Sequence, residues 1–506
     1  MSFHFPFEQQ TKSLMKTYPL YTAVQTKEFD ALAIQDENIS GYCLMQRAAL
    51  AAFNAIVERW PKLKSIVVLC GMGNNAGDGY VIAKLAREHG ISVNVIQLGD
   101  VRHQQGAARL AREDLDKSLS LEAYGGQGTF EADLIVDAIF GTGLARGVEG
   151  EWANAIQAIN SSACSVVAID IPSGLQCDTG AILGTAVRAD FTVTFIARKQ
   201  GMYTADGPEL CGEILFEGLK VSEAVYQQIS PSSYCIDKLT GPLLKRRSKN
   251  SHKKDFGHLL LVGGAPGMRG AIHLAAQAAL RSGVGLVTVA THPDHASFFN
   301  LTTPEVMVYG VSCEAELLPL MDNADVIVAG PGLGQSSWAR ELFACLCSGE
   351  QPLVVDADAL NLLCKQKQKR DNWVLTPHPG EAARLLDCTS KHIQNSRFDA
   401  AEQIQKEYGG ICVLKGSGTI ICSDQKKLVC PYGNPGMATA GMGDILAGVI
   451  GSMIAQSKSE KLALIDIAQF AVVLHALAGD RAAVADGEKG MIASDLLPYL
   501  RLLINE

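Results

Sequence analysis

The chain has 506 residues, of which 47% are apolar, and this fits a globular protein of two or three domains. Only 19% of the residues are charged, and 53 acidic side chains outnumber 44 basic ones. The net charge of −9 argues against a general binder of nucleic acids or anionic membranes, so we expect small-molecule partners instead.

Cysteine usage and the apolar runs predict a cytoplasmic protein. The 14 cysteines are scattered and none forms a CxxC pair, which argues against a zinc site and a disulfide framework. The first residues lack an unbroken apolar core, and no run reaches about 18 uncharged apolar residues. We therefore expect reduced thiols, no secretory signal, no membrane span, and a homo-oligomer.

The first half of the chain predicts helices over residues 25–60 and then an alternation of strands and helices. Apolar runs predict buried strands at 65–71, 91–99, 134–141, 164–171 and 191–197. Strands separated by helical stretches are typical of a doubly wound parallel sheet. We assign residues 1–220 to this Rossmann-like α/β domain.

Residues 221–257 interrupt the alternation and predict a linker. They contain Pro231, Pro242 and the basic run KRRSKNSHKK at 245–254, and a charge run between turn formers is most often solvated. An alternative stays open, in which the basic run grips the phosphates of a substrate.

A second alternating series predicts another doubly wound α/β domain over residues 258–506. Apolar helices are predicted over 270–283, 444–456 and 462–484, and a shorter one after Ser494. Strands are predicted at 258–265, 286–291, 325–332, 352–358, 373–378 and 411–416. The halves show no sequence repeat, which favours a fusion of two different domains.

The loop GMGNNAGDG, residues 71–79, joins a predicted strand to a predicted helix. Glycines let backbone N–H groups approach a phosphate, and a helix N-terminus adds favourable partial charge. The GxGxxxGxG spacing does not match the dinucleotide fingerprint GxGxxG. Two other interpretations stay open: a plain tight turn, and a dehydrogenase-type site in which Asp100 holds a ribose.

Acidic residues lie at the ends of two neighbouring predicted strands. Asp137 lies in LIVDAIFGTGLARG and Asp170 ends VVAIDIPSG, where the carboxyl ends of parallel strands line a ligand crevice. A buried acid is costly unless it is paired, hydrogen-bonded or metal-bound. Asn75, Asp137 and Ser173 offer only hard oxygen ligands, which suit an alkali or alkaline-earth ion. Either aspartate could instead cap a loop.

In this order and spacing, NNAGDG, VDAIFGTG and AIDIPSG resemble the NAD(P)H-hydrate epimerase domain over about residues 20–220. The family usually has NNGGDG, so Ala76 is a departure that could restrict the loop backbone. The resemblance implies a potassium ion held by Asn75, Asp137 and Ser173, and a substrate contact from Asp170. The implied dinucleotide contacts are Asn74, Asn75, Ala76, Gly77, Asp78, Gly141, Thr142, Gly143, Leu144, Ala145, Arg146 and Gly147. The implied reaction interconverts the R and S hydrates at C6 of the reduced nicotinamide, with Asp137 as our candidate catalytic carboxylate.

The segment TAGMGDILAGVIG, residues 439–451, carries the strongest single signal. Gly441 and Gly443 permit an unusual turn into an apolar helix, whose first N–H groups can form an anion hole. Asp444 lies in the first turn, where it could cap the helix or take a hydroxyl proton during phosphoryl transfer.

Four predicted strand ends supply further polar groups. GPGLG adds a glycine loop, TPHPGE adds His378 and Glu381, and VLKGSGT adds Lys415 with a loop for nucleotide phosphates. VVDADAL ends in two acids suited to magnesium or to a water network. A lone histidine is more often structural, but between two prolines at a strand end His378 is a candidate ligand.

Together, GPGLG, TPHPGE, VLKGSGT and AGMGD resemble the ADP-dependent NAD(P)H-hydrate dehydratases of the ribokinase-like superfamily, over about residues 245–503. The resemblance implies a ribokinase-like domain that uses Mg²⁺ and ADP or ATP. The implied contacts to the hydrate are Ala271, Gly332, His378 and Asp444. The implied contacts to the adenine nucleotide are Lys415, Gly416, Ser417, Gly418, Thr419 and Gly443. The implied chemistry phosphorylates the C6 hydroxyl of the S hydrate, with Asp444 as base, and then eliminates phosphate to restore NADH or NADPH.

The whole chain is therefore identified as a member of the bifunctional nicotinamide-hydrate repair enzymes. If the dehydratase accepts only the S epimer, the epimerase would make the R epimer available to it by converting R into S. Two alternatives stay open. A small-molecule kinase of the ribokinase-like superfamily would release a stable phosphorylated product, and a nucleotide-binding scaffold would bind without turnover.

Overall fold

The computed structural model describes residues 15–506 apart from 116–118, 127, 240–243, 245, 300, 302 and 461. The chain divides into two compact units. The first unit contains Pro19–Tyr234 and Gln394–Arg397. The second unit contains Cys235–Ile393, Phe398–Glu506 and the described residues up to Tyr18. Residues 1–14, on which the prediction of no secretory signal partly rests, lie outside the described residues.

The described chain up to residue 239 contains strands β1 (Met15–Leu20), β2 (Ser65–Cys70), β3 (Ser92–Gln97), β4 (Leu121–Ala123), β5 (Leu134–Ala138), β6 (Ser165–Ile169), β7 (Phe191–Phe195), β8 (Glu213–Glu217) and β9 (Ser233–Leu239). Its helices are α1 (Ala23–Asp36), α2 (Gly41–Arg59), α3 (Asn74–Glu88), α4 (Gly106–Glu113), α5 (Gly150–Ser161), α6 (Gly207–Cys211) and α7 (Glu223–Tyr226).

The sheet of the first unit is parallel and doubly wound, as predicted. Its strand order over the described residues is β4-β3-β2-β5-β6-β7-β8, so the winding direction reverses between β2 and β5. Alternate residues of β2 enter two separate apolar clusters, with Val68 in one and Leu69 in the other. Helices therefore cover both faces of the sheet, which explains the nearly continuous apolar strands of the sequence.

The remaining described chain contains strands β10 (His258–Val262), β11 (Leu286–Thr291), β12 (Met307–Gly310), β13 (Val326–Ala329), β14 (Leu353–Val355), β15 (Trp373–Leu375), β16 (Ile411–Leu414), β17 (Thr419–Cys422) and β18 (Lys427–Cys430). Its helices are α8 (Arg269–Arg281), α9 (Pro293–Phe299), α10 (Glu314–Asp322), α11 (Ser337–Ser348), α12 (Ala357–Lys365), α13 (Pro379–Leu385), α14 (Ser390–Asn395), α15 (Arg397–Tyr408), α16 (Met442–Gln456), α17 (Leu464–Asp486) and α18 (Leu496–Leu503).

The second sheet has the order β1-β9-β18-β17-β16-β15-β14-β13-β10-β11-β12 over the described residues. The strands from β10 to β16 pair in parallel, and the winding direction reverses between β10 and β13. Strands β16, β17 and β18 form an antiparallel meander. The predicted doubly wound α/β class is therefore confirmed for this half as well.

The ordered elements around the predicted linker differ from our expectation. Residues 221–257 contain helix α7 and strand β9, and β9 belongs to the second sheet. Strand β1, which we assigned to the domain at 1–220, joins the same sheet. Strand β9 escaped prediction because Pro231 and the basic run on either side of it resemble a solvated segment, and β1 escaped it because an edge strand carries a weak apolar signal.

Among the described residues, helix α17 is long and apolar enough to cross a membrane by length and composition. Within its most apolar window, 72% is buried inside the structure. Packing against α16 and the meander therefore accounts for the apolar composition of this helix.

Candidate active sites

A cavity of about 670 Å³ opens at the switch point of the first sheet. The segments that follow β2 and β5 form much of its wall, as expected for the carboxyl edge of an open α/β sheet. The predicted residues that line it are Asn74, Asn75, Asp78, Gly141, Thr142, Gly143, Leu144, Ala145, Arg146 and Asp170. The predicted site residues of this unit that do not line it are Ala76, Gly77, Asp137, Gly147 and Ser173.

Helix α3 begins at the cavity wall, directly after β2. Its N-cap is Gly73 in an extended conformation, which has no side chain to cap the first turn. The first N–H groups of the helix therefore suit a phosphate of a dinucleotide. Ala76 is helical and fully buried, so its methyl group does not restrict a loop as we expected.

Beneath this wall, oxygen atoms of Asn75, Asp137, Phe140 and Ser173 converge. The Ser173 hydroxyl lies 2.6 Å from Asp137 Oδ1 and 3.2 Å from the Phe140 carbonyl oxygen. Asn75 Nδ2 donates to that same carbonyl at 3.0 Å. Asn75 Oδ1 is buried and has no hydrogen-bond partner among the described residues. This orphaned oxygen beside a buried carboxylate fits a cation with hard oxygen ligands.

Asp137 is fully buried under the cavity rather than exposed to it. Its oxygens accept hydrogen bonds from the backbone N–H of Ser173 at 2.8 Å and of Ile139 at 3.2 Å. Burial raises the pKa of Asp137 to about 6, although the hydrogen bonds from Ser173 oppose this shift. This position differs from our expectation of a carboxylate beside the reacting carbon and fits a cation ligand instead.

Asp170 does reach the cavity, and it is paired with a lysine that the sequence reasoning missed. Lys199 is wholly buried and forms an ion pair with Asp170 Oδ1. Its ammonium also donates to Thr194 Oγ1 at 2.8 Å and to the Phe195 carbonyl at 3.2 Å. Asp170 has a φ of +71°, a strained value for a residue other than glycine, and such strain clusters at functional sites. A charged residue just after the apolar strand β7 was the available signal for Lys199.

Two further carboxyl groups line the same cavity. Burial raises the pKa of Asp78 well above its usual range, and Asp170 and Asp30 add to the shift. Burial likewise raises the pKa of Asp30 to about 6, with Asp170 as the next contribution. Because Lys199 is the cation that lowers both pKa values, the three carboxyl groups compete for one compensating charge. Asp30 was not predicted from sequence.

Asp100 offers no support for a dehydrogenase-type ribose contact. Its carboxylate pairs with Arg102 at 2.6 Å and accepts the backbone N–H of that residue at 3.0 Å. It does not line the cavity. The local turn that Asp100 caps therefore accounts for this residue.

In the second unit, the N-cap of helix α16 is Gly441, which has a φ of +91°. This positive φ favours glycine, and a Cβ atom at this position would also force the Leu274 side chain to move, since it would lie 2.6 Å from Leu274 Cδ1. Asp444 follows in the first turn of the helix, whose N-cap has no side chain. Burial raises the pKa of Asp444 to about 7, and Asp356 raises it further while Lys415 lowers it.

Near this helix N-terminus, Lys415 follows β16 and lies close to acidic side chains that follow the neighbouring strands β14 and β15. Its Nζ lies 2.8 Å from Asp356 Oδ1 and 3.8 Å from Glu381 Oε2. A Cβ atom on Gly443 would lie 3.1 Å from the same Nζ. Burial opposes the charge of Lys415, but Asp356 and Glu381 outweigh burial and hold its pKa above the usual value. The end of β16 therefore places a cation beside the predicted anion hole.

His378 is both a helix cap and an exposed group. Its ring Nδ1 accepts a hydrogen bond from the backbone N–H of Gly380 at 2.9 Å, and the backbone N–H of His378 donates to Glu381 Oε2 at 2.8 Å. Burial and Lys415 lower the pKa of the imidazole, so the ring is neutral near pH 7. Its Nε2 lies 3.5 Å from Glu381 Oε1, and the side chain is 51% exposed, so part of the ring is accessible to a ligand.

The other predicted residues of this site lie on the same carboxyl edge of the second sheet. Gly332 follows β13 with a φ of +60°, and a Cβ atom there would lie 2.3 Å from the Met268 carbonyl. Ala271 lies in the first turn of α8. The loop between β16 and β17 contains Gly416, Ser417 and Gly418, and Thr419 begins β17, where its hydroxyl donates to the Gly416 carbonyl at 3.0 Å.

His475 of helix α17 is a residue of this region that sequence reasoning missed. It is buried, and its Nε2 has no hydrogen-bond partner among the described residues. Burial lowers the pKa of the imidazole to about 4, although a hydrogen bond to the backbone of Met442 opposes the shift. A neutral ring therefore contacts the first residue of α16. Its position inside an apolar helix gave only a weak signal.

The basic run lies at the opposite end of helix α16. Arg247 contacts the Gly283 carbonyl and lies 3.3 Å from Gln456 Oε1. Gln456 ends the helix whose first turn holds Asp444, about 18 Å away at ~1.5 Å per residue. The structure therefore does not support the alternative in which this run grips the substrate phosphates of that site.

Each unit is a doubly wound α/β fold with an uncapped helix N-terminus and buried carboxylates at its strand ends. These features are typical of a nucleotide-binding enzyme, and their presence in both units indicates a bifunctional one. Residues 259–501 match the family described as NAD(P)H-hydrate dehydratase, and residues 41–201 match the family described as YjeF-related protein N-terminus. The chain is 45% identical over 489 residues to the bifunctional NAD(P)H-hydrate repair enzyme Nnr of Coxiella burnetii, with 96% of this chain and 99% of that relative covered. The chain belongs to the family of bifunctional NAD(P)H-hydrate repair enzymes.

A second relative gives the same assignment. The enzyme of the same name from Escherichia coli is 40% identical over 467 residues, with 92% of this chain and 90% of that relative covered. The crystal structure of ADP/ATP-dependent NAD(P)H-hydrate dehydratase from Bacillus subtilis, obtained with ATP and Mg²⁺, is 26% identical. It covers 52% of this chain and 94% of its own, with a TM-score of 0.46. The predicted family and bifunctional enzyme class are confirmed, and the small-molecule kinase is not favoured.

Proposed function

We propose that the second unit dehydrates the S hydrate of NADH or NADPH in two steps. A phosphoryl group passes from an adenine nucleotide to the C6 hydroxyl, while Asp444 takes the hydroxyl proton. Phosphate then leaves C6, a proton leaves the adjacent ring carbon, and the dihydronicotinamide forms. The observation that carries this proposal is Asp444 with a pKa of about 7 in the first turn of α16, close to Lys415.

The charges around Asp444 support the phosphoryl-transfer step. The N–H groups of the α16 N-terminus and the Lys415 ammonium stabilise negative charge on a transferring group. A carboxylate with a pKa near the working pH serves well as a general base. His378, which is neutral and accessible, suits a hydrogen bond to the hydrate, and Ser417 and Thr419 suit the nucleotide phosphates.

Magnesium fits this site as an ion carried largely by the nucleotide. No cluster of three or more His, Cys, Asp or Glu side chains suited to a metal is found among the described residues. Mg²⁺ is usually held by one or two carboxylates together with substrate phosphates, and Asp356 and Asp358 are the candidates here. When bound, Mg²⁺ would neutralise phosphate charge. The choice between ADP and ATP belongs to the same proposal, with ADP expected from the family resemblance.

We propose that the first unit interconverts the R and S hydrates in its cavity of about 670 Å³. The N-terminus of α3 and the glycine loop after β5 suit the pyrophosphate of a dinucleotide. Asp170 replaces Asp137 as the substrate-facing carboxylate, since Asp170 lines the cavity. A potassium ion held by Asn75, Asp137 and Ser173 would neutralise the buried carboxylate and fix the wall.

Incubation of the full chain with a mixture of R and S hydrates, potassium, magnesium and either nucleotide tests both activities together. We expect complete recovery of the near-ultraviolet absorbance of reduced nicotinamide and release of one phosphate for each molecule restored. Recovery that stops at the S fraction would contradict the epimerase proposal. A stable phosphorylated product without restored absorbance would contradict the dehydratase proposal and favour a kinase.

We also propose a cytoplasmic location. All 14 cysteines lie in the described residues as free thiols, which supports a reducing compartment. Cell fractionation with an antibody to the chain tests this location. The homo-oligomer stays a prediction, and sedimentation of the full chain tests it.

A further inference from the structure

The chemistry of inversion at C6 sets a requirement for the first cavity, and the inference below rests on the epimerase function proposed above. C6 of the hydrate carries both the hydroxyl group and the ring nitrogen N1. If the hydroxyl leaves as water, the N1 lone pair forms an N1=C6 double bond and C6 becomes planar. Water must then return to the opposite face. One group must protonate the leaving hydroxyl, and a second group on the other face must accept a proton from the entering water.

Asp170 supplies one of these groups. It follows strand β6 at the carboxyl edge of the sheet and lines the cavity. The buried ammonium of Lys199 pairs with it. A carboxylate at this position suits the acceptance of a proton from water, so the group that acts on the other face must come from another element.

Asp30 supplies the second group. It lines the same cavity from helix α1, a different element of the fold from the end of β6 that carries Asp170. Helix α1 is fixed by a capping box at Thr22, and the N–H of Ala23 donates to Asp178 Oδ1 at 2.6 Å. The position of Asp30 is therefore defined by an anchored helix rather than by a loose loop. The residue lies before the segment 41–201 that matches the family.

We propose that Asp30 is a second catalytic residue of the epimerase, which exchanges a proton with the C6 oxygen on the ring face opposite Asp170. The charged groups that face Asp30 are Asp78 on α3, Asp170 after β6 and Lys199 after β7, and Lys27 lies beside it on α1.

The surroundings distinguish Asp30 from Asp78 as the acid. Asp78 is buried, and burial holds its pKa well above the usual range. Asp30 is less enclosed, and its pKa of about 6 lets both protonation states occur at working pH. A group that must donate a proton in one direction and accept one in the other needs both states.

The step balances in each direction. In one direction, protonated Asp30 donates to the C6 hydroxyl, the C6–O bond breaks and water departs with the bonding pair. The N1 lone pair closes the N1=C6 bond. Water attacks the other face of C6, returns that pair to N1 and loses its proton to Asp170. The cycle ends with Asp30 ionised and Asp170 protonated, so the reverse reaction starts from this state, and exchange with solvent resets the pair.

The variant Asp30→Asn tests the assignment in the full chain, with Glu28→Gln as the matched control. Glu28 is exposed on the same helix and does not line the cavity, so its variant makes the same chemical change outside the site. After the uncatalysed rate is subtracted, we expect Asp30→Asn to lower the kcat for R to S conversion by about 10²–10⁴-fold. We expect Glu28→Gln to epimerise normally and both variants to dehydrate the S hydrate normally. Epimerisation by Asp30→Asn within threefold of wild type overturns the proposal.

A second measurement on the unmodified enzyme does not depend on the folding of a variant. In ¹⁸O-labelled water, each inversion by this route inserts one solvent oxygen at C6. We expect label to enter the inverted hydrate at the enzymatic rate, above the enzyme-free control. Inversion with retention of the original oxygen overturns the two-face mechanism and with it the role of Asp30. A wild-type chain without epimerase activity would instead contradict the proposed function itself.

Discussion

The two sites compensate their buried carboxylates in different ways. In the first cavity, the cation is Lys199, which is wholly buried and bonded to protein oxygens on several sides. In the second site, the cation is Lys415, whose side chain is 19% exposed beside Gly443. Lys199 therefore interacts with protein groups, whereas Lys415 is accessible to a ligand.

This difference matches the chemistry of each unit. The first cavity holds Asp30, Asp78 and Asp170 around the buried Lys199 ammonium, and burial raises the pKa values of Asp30 and Asp78. A cluster of carboxyl groups of this kind suits proton transfer. The second site places a partly exposed ammonium beside an uncapped helix N-terminus, which favours an incoming phosphoryl group. The same fold class therefore supports proton transfer in one unit and phosphoryl transfer in the other.

The largest expected effect comes from Asp444→Asn. This change keeps the shape of the first turn of α16 and removes the general base, so we expect kcat for dehydration to fall by about 10²–10⁴-fold. Epimerisation by the same chain should be unchanged, which provides an internal control for folding and concentration. A normal dehydration rate would remove Asp444 from the mechanism and with it the contrast between the two sites.

The next effect concerns the ion pair of the first cavity. Asp170→Asn removes the partner of a buried ammonium, which costs about 3–5 kcal/mol of stability in comparable cases. We expect loss of epimerase activity and a lower melting temperature for the first unit. The double variant Asp170→Asn with Lys199→Met should recover much of the stability but none of the activity. Recovery of both would mean that the pair is only structural.

Potassium should act on the first unit alone. Binding to Asn75, Asp137 and Ser173 in the folded state raises the apparent stability with ion concentration. We expect a higher melting temperature of the full chain in potassium than in sodium, and loss of this difference in Asp137→Asn. Equal melting in the two salts would contradict the ion site, and a difference that survives in Asp137→Asn would locate the ion elsewhere.

The smallest expected effect is a pH-dependent gain of stability in Asp444→Asn. The pKa of Asp444 is about 7 in the folded state and near its ordinary value when unfolded. Between these pH values the folded state binds more protons, so the wild type loses stability as pH rises toward 7. Denaturant unfolding should find the variant more stable than wild type at pH 8 and equal to it near pH 4. Equal denaturation midpoints of wild type and variant at pH 8 would show that burial of the ionised Asp444 carboxylate does not destabilise the folded state.

Much of the fold followed from local patterns in the sequence. Every buried strand predicted from an apolar run lies in one of the two sheets, because strands covered on both faces leave a continuous signal. The short edge strands β4 and β8 and the meander of β17 and β18 were not predicted. Their pairing depends on neighbours that are distant in sequence, and their exposed edges weaken the apolar pattern.

For the candidate sites as well, local motifs could be predicted from the sequence and long-range contacts could not. Glycine loops and strand-end acids were visible as motifs, since each motif is local in sequence. The pairing of Asp170 with Lys199 and the contact of His475 with Met442 join residues that are far apart along the chain. The burial of Asp137 beneath the cavity wall also depends on the packed sheet. Such facts arise only when the chain has folded.

One measurement tests the central claim most directly. The full chain is given pure R hydrate with ADP, magnesium and potassium, and the absorbance of reduced nicotinamide and the released phosphate are followed together. We predict restoration of the dihydronicotinamide faster than uncatalysed epimerisation allows, with one phosphate released for each molecule restored. Restoration only at the uncatalysed rate, or accumulation of a phosphorylated hydrate, would contradict the account.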